Sequence, residues 1–457
     1  MESQTFTRPE RGAELDLRVD ALAYGGNGIA RLDGYVVFVQ GAVPGDRVRA
    51  VVTKRKRAYA EARTLEVLEP SGERVAPLAD HPGVPWQVLP YERQLAVKHE
   101  QVRDALQRIG RLEGYALEDI VPAVERWRYR NKLEYSFGTA ADGGLVCGFH
   151  APGSWHEIVP VSDCLLASRR GNAAREQVVA WCRERGLRAR DRHREEGLLR
   201  NLVVREGRRT GQLQVRLVTT AEGADAIDGA SLAAAVDCDG LLWTRTDGLG
   251  ETTNAGVTEL VAGAPALEEE LVVGGGSRLR LAISPLAFFQ TNTEMAERLY
   301  AVAGRLAGLQ GWERVFDLYC GIGTVALSLA VRAGSVRGLE ISEEAVADAI
   351  ANARRNEIDN ARFHVGDVRL ALRELVAREG RPDVCLVDPP RAGLSQKVVR
   401  RVAEAAPQRI VYVSCNPTTL APNAAQLVEA GYALRRVVPV DMFPQTPHIE
   451  CVALLER

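Results

Sequence analysis

Residues 314–330 read RVFDLYCGIGTVALSLA: a β-branched and aromatic run, a glycine turn, then an apolar stretch of helical length. That order is strand, turn, helix. Gly321 and Gly323 let the backbone approach a ligand closely. The next strand, VRGLEIS, ends in Glu340, 17 residues past Gly323, where a carboxylate can accept two ribose hydroxyls. A bare GxG is compatible with a nicotinamide, a flavin or S-adenosylmethionine. Two residues count against a nicotinamide. Ala326 stands where the dinucleotide fingerprint wants its third glycine, and Asp317 precedes the turn, close to where a pyrophosphate would lie. An uncharged or cationic ligand suits that acidity better.

Working outward, SEEAVADAIANARRNEI is an amphipathic helix opened by a Ser342 cap, with Glu343 and Glu344 in its first turn. ARFHVGDV is a strand that runs to Asp367, and PDVCLVDPPRAGL another that runs to Asp388. Residues 409–420, RIVYVSCNPTTL, are a short buried strand that Pro417 stops just after Cys415. Strand–helix alternation of this kind predicts an α/β fold with a doubly wound parallel sheet. Glu340, Asp367, Asp388 and Cys415 then all fall at strand C-termini, the edge where such sheets bind ligands. Taken alone, Cys415 reads equally well as a small core residue; the succession of four such residues favours a site.

At 457 residues the chain should hold two or three domains. It is 46% hydrophobic and 26% charged, the composition of a soluble globular protein, and no apolar run is long enough to span a bilayer. The start, MESQTFTRPE, lacks a signal-peptide pattern, so a cytoplasmic location is the default. Eight scattered cysteines without a CxxC pair argue against a disulfide framework or a zinc knuckle. With a net charge of only −2, nucleic-acid binding must come from local basic patches.

Residues 14–67 alternate in short strands with glycine punctuation, about five strands in the size of a small OB-like barrel. Lys54-Arg55-Lys56-Arg57 followed by Tyr59 suits a phosphate backbone and a stacked base, although a charge run alone is more often a solvated strand end. Residues 126–138, RWRYRNKLEYSFG, interleave Arg126, Arg128, Arg130 and Lys132 with Trp127, Tyr129 and Tyr135. If extended, the segment places bases on one face and aromatics on the other, which would pack or stack on nucleobases. Residues 183–209 are arginine-rich, but interspersed acids such as Glu184 and Glu195 make a solvated face the better reading.

SPLAFFQTN, DLYCGIGT, VDPPRAGL, VYVSCNP and the terminal PHIECVALL, in that order, resemble the RNA (uracil-5-)-methyltransferase family. GGNGIARLDGYVVFVQGAVPGDRV resembles the TRAM domain, a small RNA-binding β-barrel. The resemblance implies three units: a TRAM-like barrel over 12–70, a linker and central α+β RNA-binding domain over 71–280, and a Rossmann-like methyltransferase domain over 281–457. It implies that Gln290, Tyr319, Glu340 and Asp388 contact S-adenosylmethionine, that Cys415 is the nucleophile and that Glu450 is the base. On residues alone Glu450 would be an exposed strand carboxylate, and His448 is a lower-ranked base. Thr324 stands where some relatives have an asparagine, which leaves its role open.

Carbon 5 of uracil is a poor nucleophile; a thiolate added at carbon 6 makes it an enolate carbon that can take a methyl group, after which a base must remove the carbon-5 proton. Cytosine-modifying relatives carry a second cysteine after the DPP-like aspartate, whereas this chain has Pro389-Pro390-Arg391. Many family members hold an iron–sulfur cluster. Here the three early ligand positions are Val75, His81 and Val84, leaving only Cys164, so no metal cluster is expected. The expected substrate is structured RNA, ribosomal RNA first and tRNA second, with residues 14–67 supplying affinity rather than chemistry. No membrane or obligate protein partner is implied. The rival reading is a non-catalytic RNA-binding factor that kept the fold, against which stand intact Cys415, Glu450 and Asp388.

Overall fold

The computed structural model describes residues 8–457 apart from 155, 192, 193, 195, 249–252 and 254. Expectations that touch residues 1–7 and Glu195 lie outside the described residues.

The glycine-punctuated N-terminus folds into β1 (Glu14–Arg18), β2 (Ala21–Leu22), β3 (Gly28–Leu32), β4 (Tyr35–Gln40), β5 (Arg47–Arg55) and β6 (Tyr59–Glu69), ordered β1-β5-β6-β4-β3-β2. Three register shifts between β5 and β6 bend that long pair, as bulges do, over a core of Leu17, Val37, Val39, Val48 and Val52. Lys54 is held by Glu61 at 2.9 Å, and Tyr59 already packs edge-on against Phe38.

After the linker come α1 (Tyr91–Asp104), a wider helical turn at Ala105–Ile109, and β7 (Ala116–Leu117). The central sheet contains β8 (Lys132–Thr139), β9 (Leu145–His150), β10 (Ile158–Pro160), β11 (Leu199–Glu206), β12 (Leu213–Thr219), β13 (Gly240–Arg245) and β14 (Val257–Gly263). Their order is β10-β9-β8-β11-β12-β13-β14, with α2 (Arg169–Glu184) and α3 (Gly229–Ala235) packed against the sheet. Two expectations are corrected here. Residues 126–131 are not a regular strand, since Arg128 has φ +53°, and Tyr129 and Tyr135 are core residues rather than stacking platforms. Arg183, Arg185 and Arg188 are exposed as read, but Arg205 is buried and donates to the carbonyls of Ser284, Pro285 and Ala287 at 3.0–3.1 Å. Strand alternation turned it inward, where carbonyl oxygens replace water.

The C-terminal unit opens with the hairpin β15 (Leu267–Val272) and β16 (Arg278–Ile283), then α4 (Thr293–Ala307), β17 (Arg314–Leu318), α5 (Thr324–Ala330), β18 (Ser335–Glu340), α6 (Glu343–Arg355) and β19 (Ala361–Val365). It continues through α7 (Val368–Glu379), β20 (Val384–Val387), α8 (Gln396–Ala405), β21 (Arg409–Ser414), α9 (Pro417–Glu429), β22 (Ala433–Val440) and β23 (Glu450–Glu456). The sheet order is β19-β18-β17-β20-β21-β23-β22-β7; β17–β21 run parallel and β23 antiparallel to its neighbours. The order reverses between β17 and β20, the switch point where open sheets bind ligands.

Packing links parts of the expected central unit, 71–280, to the last one. β7 pairs with β22, Val102 and Leu106 share a core with Leu420 and Leu427, and the β15–β16 hairpin packs with Met295 and Leu299. Periodicity shows that α1 has a face to bury but not which sheet receives it. No helix among the described residues is long and apolar enough to cross a membrane.

One buried ion pair joins α1 to the loop between β22 and β23. Lys98 Nζ lies 2.5 Å from Asp441 Oδ1, both side chains fully buried, and also donates to the Phe443 carbonyl at 3.0 Å. Tyr91 donates to the other Asp441 oxygen at 2.8 Å. Burial pulls the Lys98 ammonium below its ordinary pKa, and Asp441 opposes that shift. Lys98→Ala, which strands Asp441, should cost about 3–5 kcal/mol in denaturant-unfolding experiments; a loss under about 1 kcal/mol would show that water reaches the site.

Candidate active site

The carboxyl edge of the sheet gathers the ionisable residues. β17 carries Asp317 and leads to Tyr319, β18 ends in Glu340, β20 is followed by Asp388, and β21 by Cys415. Ser414 lies opposite Cys451 in the antiparallel register of β21 and β23, so Cys415 and Glu450 follow side by side, one residue beyond that pair. Pairing sets them together although 35 residues separate them in the chain.

Gln290, Tyr300, Asp317, Tyr319, Thr324 and Asp388 line one pocket, closed at its lip by Phe288, which is 70% exposed. The turn beneath it is tightly determined. Tyr319 sits at φ +69°, a strained value for a residue with a side chain. Gly323, at φ +83°, could not carry a Cβ, which would lie 2.9 Å from Phe363 and 3.1 Å from Ala349. Glu340 accepts the amides of Gly321, Ile341 and Ser342 at 3.1, 2.7 and 3.0 Å, which aims its carboxylate at the turn. Asp317 is buried; the Ala326 amide approaches its carboxylate, but neither oxygen has a hydrogen bond of full geometry. Burial holds its pKa well above the carboxylate range, and Asp388 and Glu340 add to that. Burial also pushes Asp388 up to about 7. A cation bound there would favour the ionised form of both acids and lower these pKa values. Asp367, by contrast, caps α7 and pairs with Arg369.

Beyond Asp388 lie the groups read as nucleophile and base. Burial, then Glu450 and Asp388, push the Cys415 thiol up to about 11, while Arg391 pulls it down. Glu450 is buried, and burial and Asp388 hold it well above the usual range, again opposed by Arg391. His448 is pushed down to about 4 by burial first and Arg391 second, which makes it a weak base.

At the positions where relatives hold a cluster, His81 Nε2 lies 3.1 Å from Cys164 Sγ, Val84 is buried in the same core, and Val75 is 42% exposed. Among the described residues no group of three or more histidine, cysteine or acidic side chains is placed to hold a metal ion.

Sequence reading gave no role to Tyr300, whose hydroxyl is 3.3 Å from that of Thr324, or to Arg391, whose charge lowers the pKa of both Cys415 and Glu450. Tyr300 lies on the apolar face of α4 and carries no signal that separates it from core; Arg391 stood in plain view within VDPPRAGL.

A tRNA (uracil-5-)-methyltransferase family model matches residues 253–457, and a TRAM domain model matches residues 8–65. An uncharacterized RNA methyltransferase of Halalkalibacterium halodurans is 36% identical over 449 residues, 97% of this chain and 96% of the relative. One of Bacteroides thetaiotaomicron is 37% identical over 459 residues, covering 95% and 100%. The crystal structure of Pyrococcus abyssi tRNA (uracil-54, C5)-methyltransferase in complex with S-adenosyl-L-homocysteine superposes with a TM-score of 0.79 at 29% identity, covering 96% of this chain and 99% of that one. Fold, edge and matches together define an RNA methyltransferase with an N-terminal TRAM domain. The chain belongs to the RNA (uracil-5-)-methyltransferase family, as its five motifs implied.

The raised Asp388 predicts a pH effect on the free protein. Its folded pKa of about 7 exceeds the ordinary 3.8, so between those values the folded state binds the extra proton, and stability falls as pH rises. The loss is complete above the folded value and amounts to at most about 4 kcal/mol. Asp388→Asn should flatten that slope in unfolding curves; an unchanged slope would show that Asp388 titrates normally.

Proposed function

We propose that this protein methylates carbon 5 of a uridine in structured RNA, with S-adenosylmethionine as methyl donor and Cys415 as covalent nucleophile. The observation that carries the reading is the placement of Cys415 beside Glu450, with Asp388 and an acidic pocket at the switch point next to them. The residues fit the donor. The buried Asp317 carboxylate lines that pocket with only the Ala326 amide noted at it, and a sulfonium or ammonium would complete its partners. Gln290, Tyr319, Glu340 and Asp388 would hold it, Glu340 through the ribose hydroxyls. When bound, it supplies an electrophilic methyl group to the activated carbon.

The chain's own residues do the rest. Cys415 loses its proton and its sulfur bonds to carbon 6, breaking the 5,6 double bond and leaving an enolate at carbon 5 and oxygen 4. After methylation Glu450 takes the carbon-5 proton, the electron pair re-forms the double bond, and the carbon–sulfur bond breaks. Arg391, beside both groups, favours the thiolate and the carboxylate that these steps need. The base must leave its stack to reach Cys415, a cost met by RNA contacts elsewhere on the chain.

Ribosomal RNA is the first target, because the family resemblance ties the TRAM module to rRNA enzymes among bacterial relatives. A second reading, tRNA, is favoured by the Pyrococcus abyssi tRNA enzyme, whose match runs over 96% of this chain and so takes in the barrel. Mass-spectrometric mapping of 5-methyluridine in rRNA and tRNA from a deletion strain decides between them. One rRNA uridine should lose its methyl group and regain it with the wild-type gene but not with Cys415→Ala. Loss confined to tRNA would move the target; restoration by Cys415→Ala would remove the nucleophile from the account.

A further inference from the structure

The barrel touches the catalytic centre directly. The Gln101 amide of α1 donates to the carbonyls of Leu22 and Ala23 at 3.3 and 3.0 Å, and fixes the β2–β3 turn from behind. The turn closes on itself through Ala23 N–H to Asn27 O at 2.8 Å and Gly26 N–H to Ala23 O at 3.0 Å. From it the half-buried Tyr24 packs against the core cluster holding Ile449 and Cys451, the neighbours of Glu450 on either side. The Tyr24 hydroxyl donates to the backbone carbonyl of Cys415 at 3.3 Å, a long bond, and Arg391 lies against the same phenol. Gly26, at φ +93°, meets the other catalytic loop: a Cβ there would lie 3.0 Å from Pro447 and 3.2 Å from the Trp86 indole nitrogen. Pro447 is three residues before Glu450.

Two separate contacts from one turn thus reach the loop that carries the nucleophile and the loop that carries the base. Neither uses a basic side chain of the barrel, and neither is placed to hold a phosphate. We propose that the Tyr24–Gly26 turn positions both catalytic loops, so that the barrel acts on turnover and not on RNA affinity alone. Tyr24 is a positioning residue: its hydroxyl orients the Cys415 peptide, while the Gly26 backbone supports the approach to Glu450. A small misplacement at either loop is enough to slow attack or proton removal. The inference rests on the assignment of Cys415 and Glu450, and it replaces the division of labour expected from sequence.

The test uses the full chain with saturating S-adenosylmethionine and stem-loop RNA labelled with tritium at uridine carbon 5; released tritium reports loss of the carbon-5 proton. Tyr24→Phe keeps the ring but removes the hydroxyl's bonds to the Cys415 carbonyl and to Arg391, so kcat should fall roughly threefold to tenfold with KM for RNA unchanged. Gly26→Ala should slow tritium release likewise, and it carries the test if Tyr24→Phe melts far below the wild type. The double variant Arg55→Ala, Arg57→Ala, in another hairpin of the same barrel, should do the opposite, raising KM at constant kcat. Wild-type kcat in both turn variants, or a change in KM alone, would overturn the proposal. Tritium release by Cys415→Ala at the wild-type rate would instead refute the underlying chemistry, whatever the turn does.

Discussion

The active site is governed by desolvation. Asp317, Asp388, Cys415 and Glu450 sit where β17, β20, β21 and β23 bring buried backbone to one edge, and burial is the first cause of the upward pKa shift in all four. Taking an acid out of water disfavours its charged form, and neighbouring acids deepen the effect. Arg391 opposes the shift at both Cys415 and Glu450. With burial holding it at about 11, the Cys415 thiol is protonated at neutral pH in the free chain.

A second constraint follows from the loop 441–449, which delivers Glu450. Lys98 and Tyr91 hold Asp441, Gln94 accepts from the Gln445 amide at 2.9 Å, Trp86 donates to the Gln445 carbonyl at 3.0 Å, and Tyr129 donates to the Pro444 carbonyl at 3.1 Å. Gln445 itself sits at φ +66° and is kept there by these contacts. The holding groups come from the linker, α1 and the segment leading into the central sheet, all N-terminal to the catalytic sheet. The loop before Glu450 is therefore held by contacts from earlier parts of the chain. Arg205 and Asn131 do the same for the 284–292 segment, Asn131 donating to the Gln290 carbonyl at 2.8 Å.

The catalytic sheet was legible because its signals are local. A strand, the GIG turn and a helix lie within 17 residues, and each of the parallel strands β18 to β21 ends in a polar residue or has one within two residues of its end. Gln290, Tyr319 and Asp388 line one pocket and Glu340 accepts from the Gly321 amide of its turn, because strand order fixes where strand ends go. What could not be read was the packing between distant segments. Tyr129 and Tyr135 looked like stacking aromatics because alternation shows that a face differs without saying which face is covered. Arg205 looked solvated among exposed arginines for the same reason. Tyr24 stood in a glycine-rich turn that read only as a hairpin; its contact with Cys415 spans 391 residues, a separation that no local pattern encodes.

The claim on which the account turns is a carbon–sulfur bond between Cys415 and the target base. In RNA with 5-fluorouridine at the target, fluorine replaces the proton that Glu450 must remove, so methylation should occur once and the adduct should persist. Digestion and mass spectrometry should then find a methylated fluorouridine nucleotide on the peptide containing Cys415, with S-adenosylhomocysteine released in equal amount. Methylation of ordinary uridine RNA with no such adduct on the fluorinated RNA, or an adduct on another residue, would contradict the account.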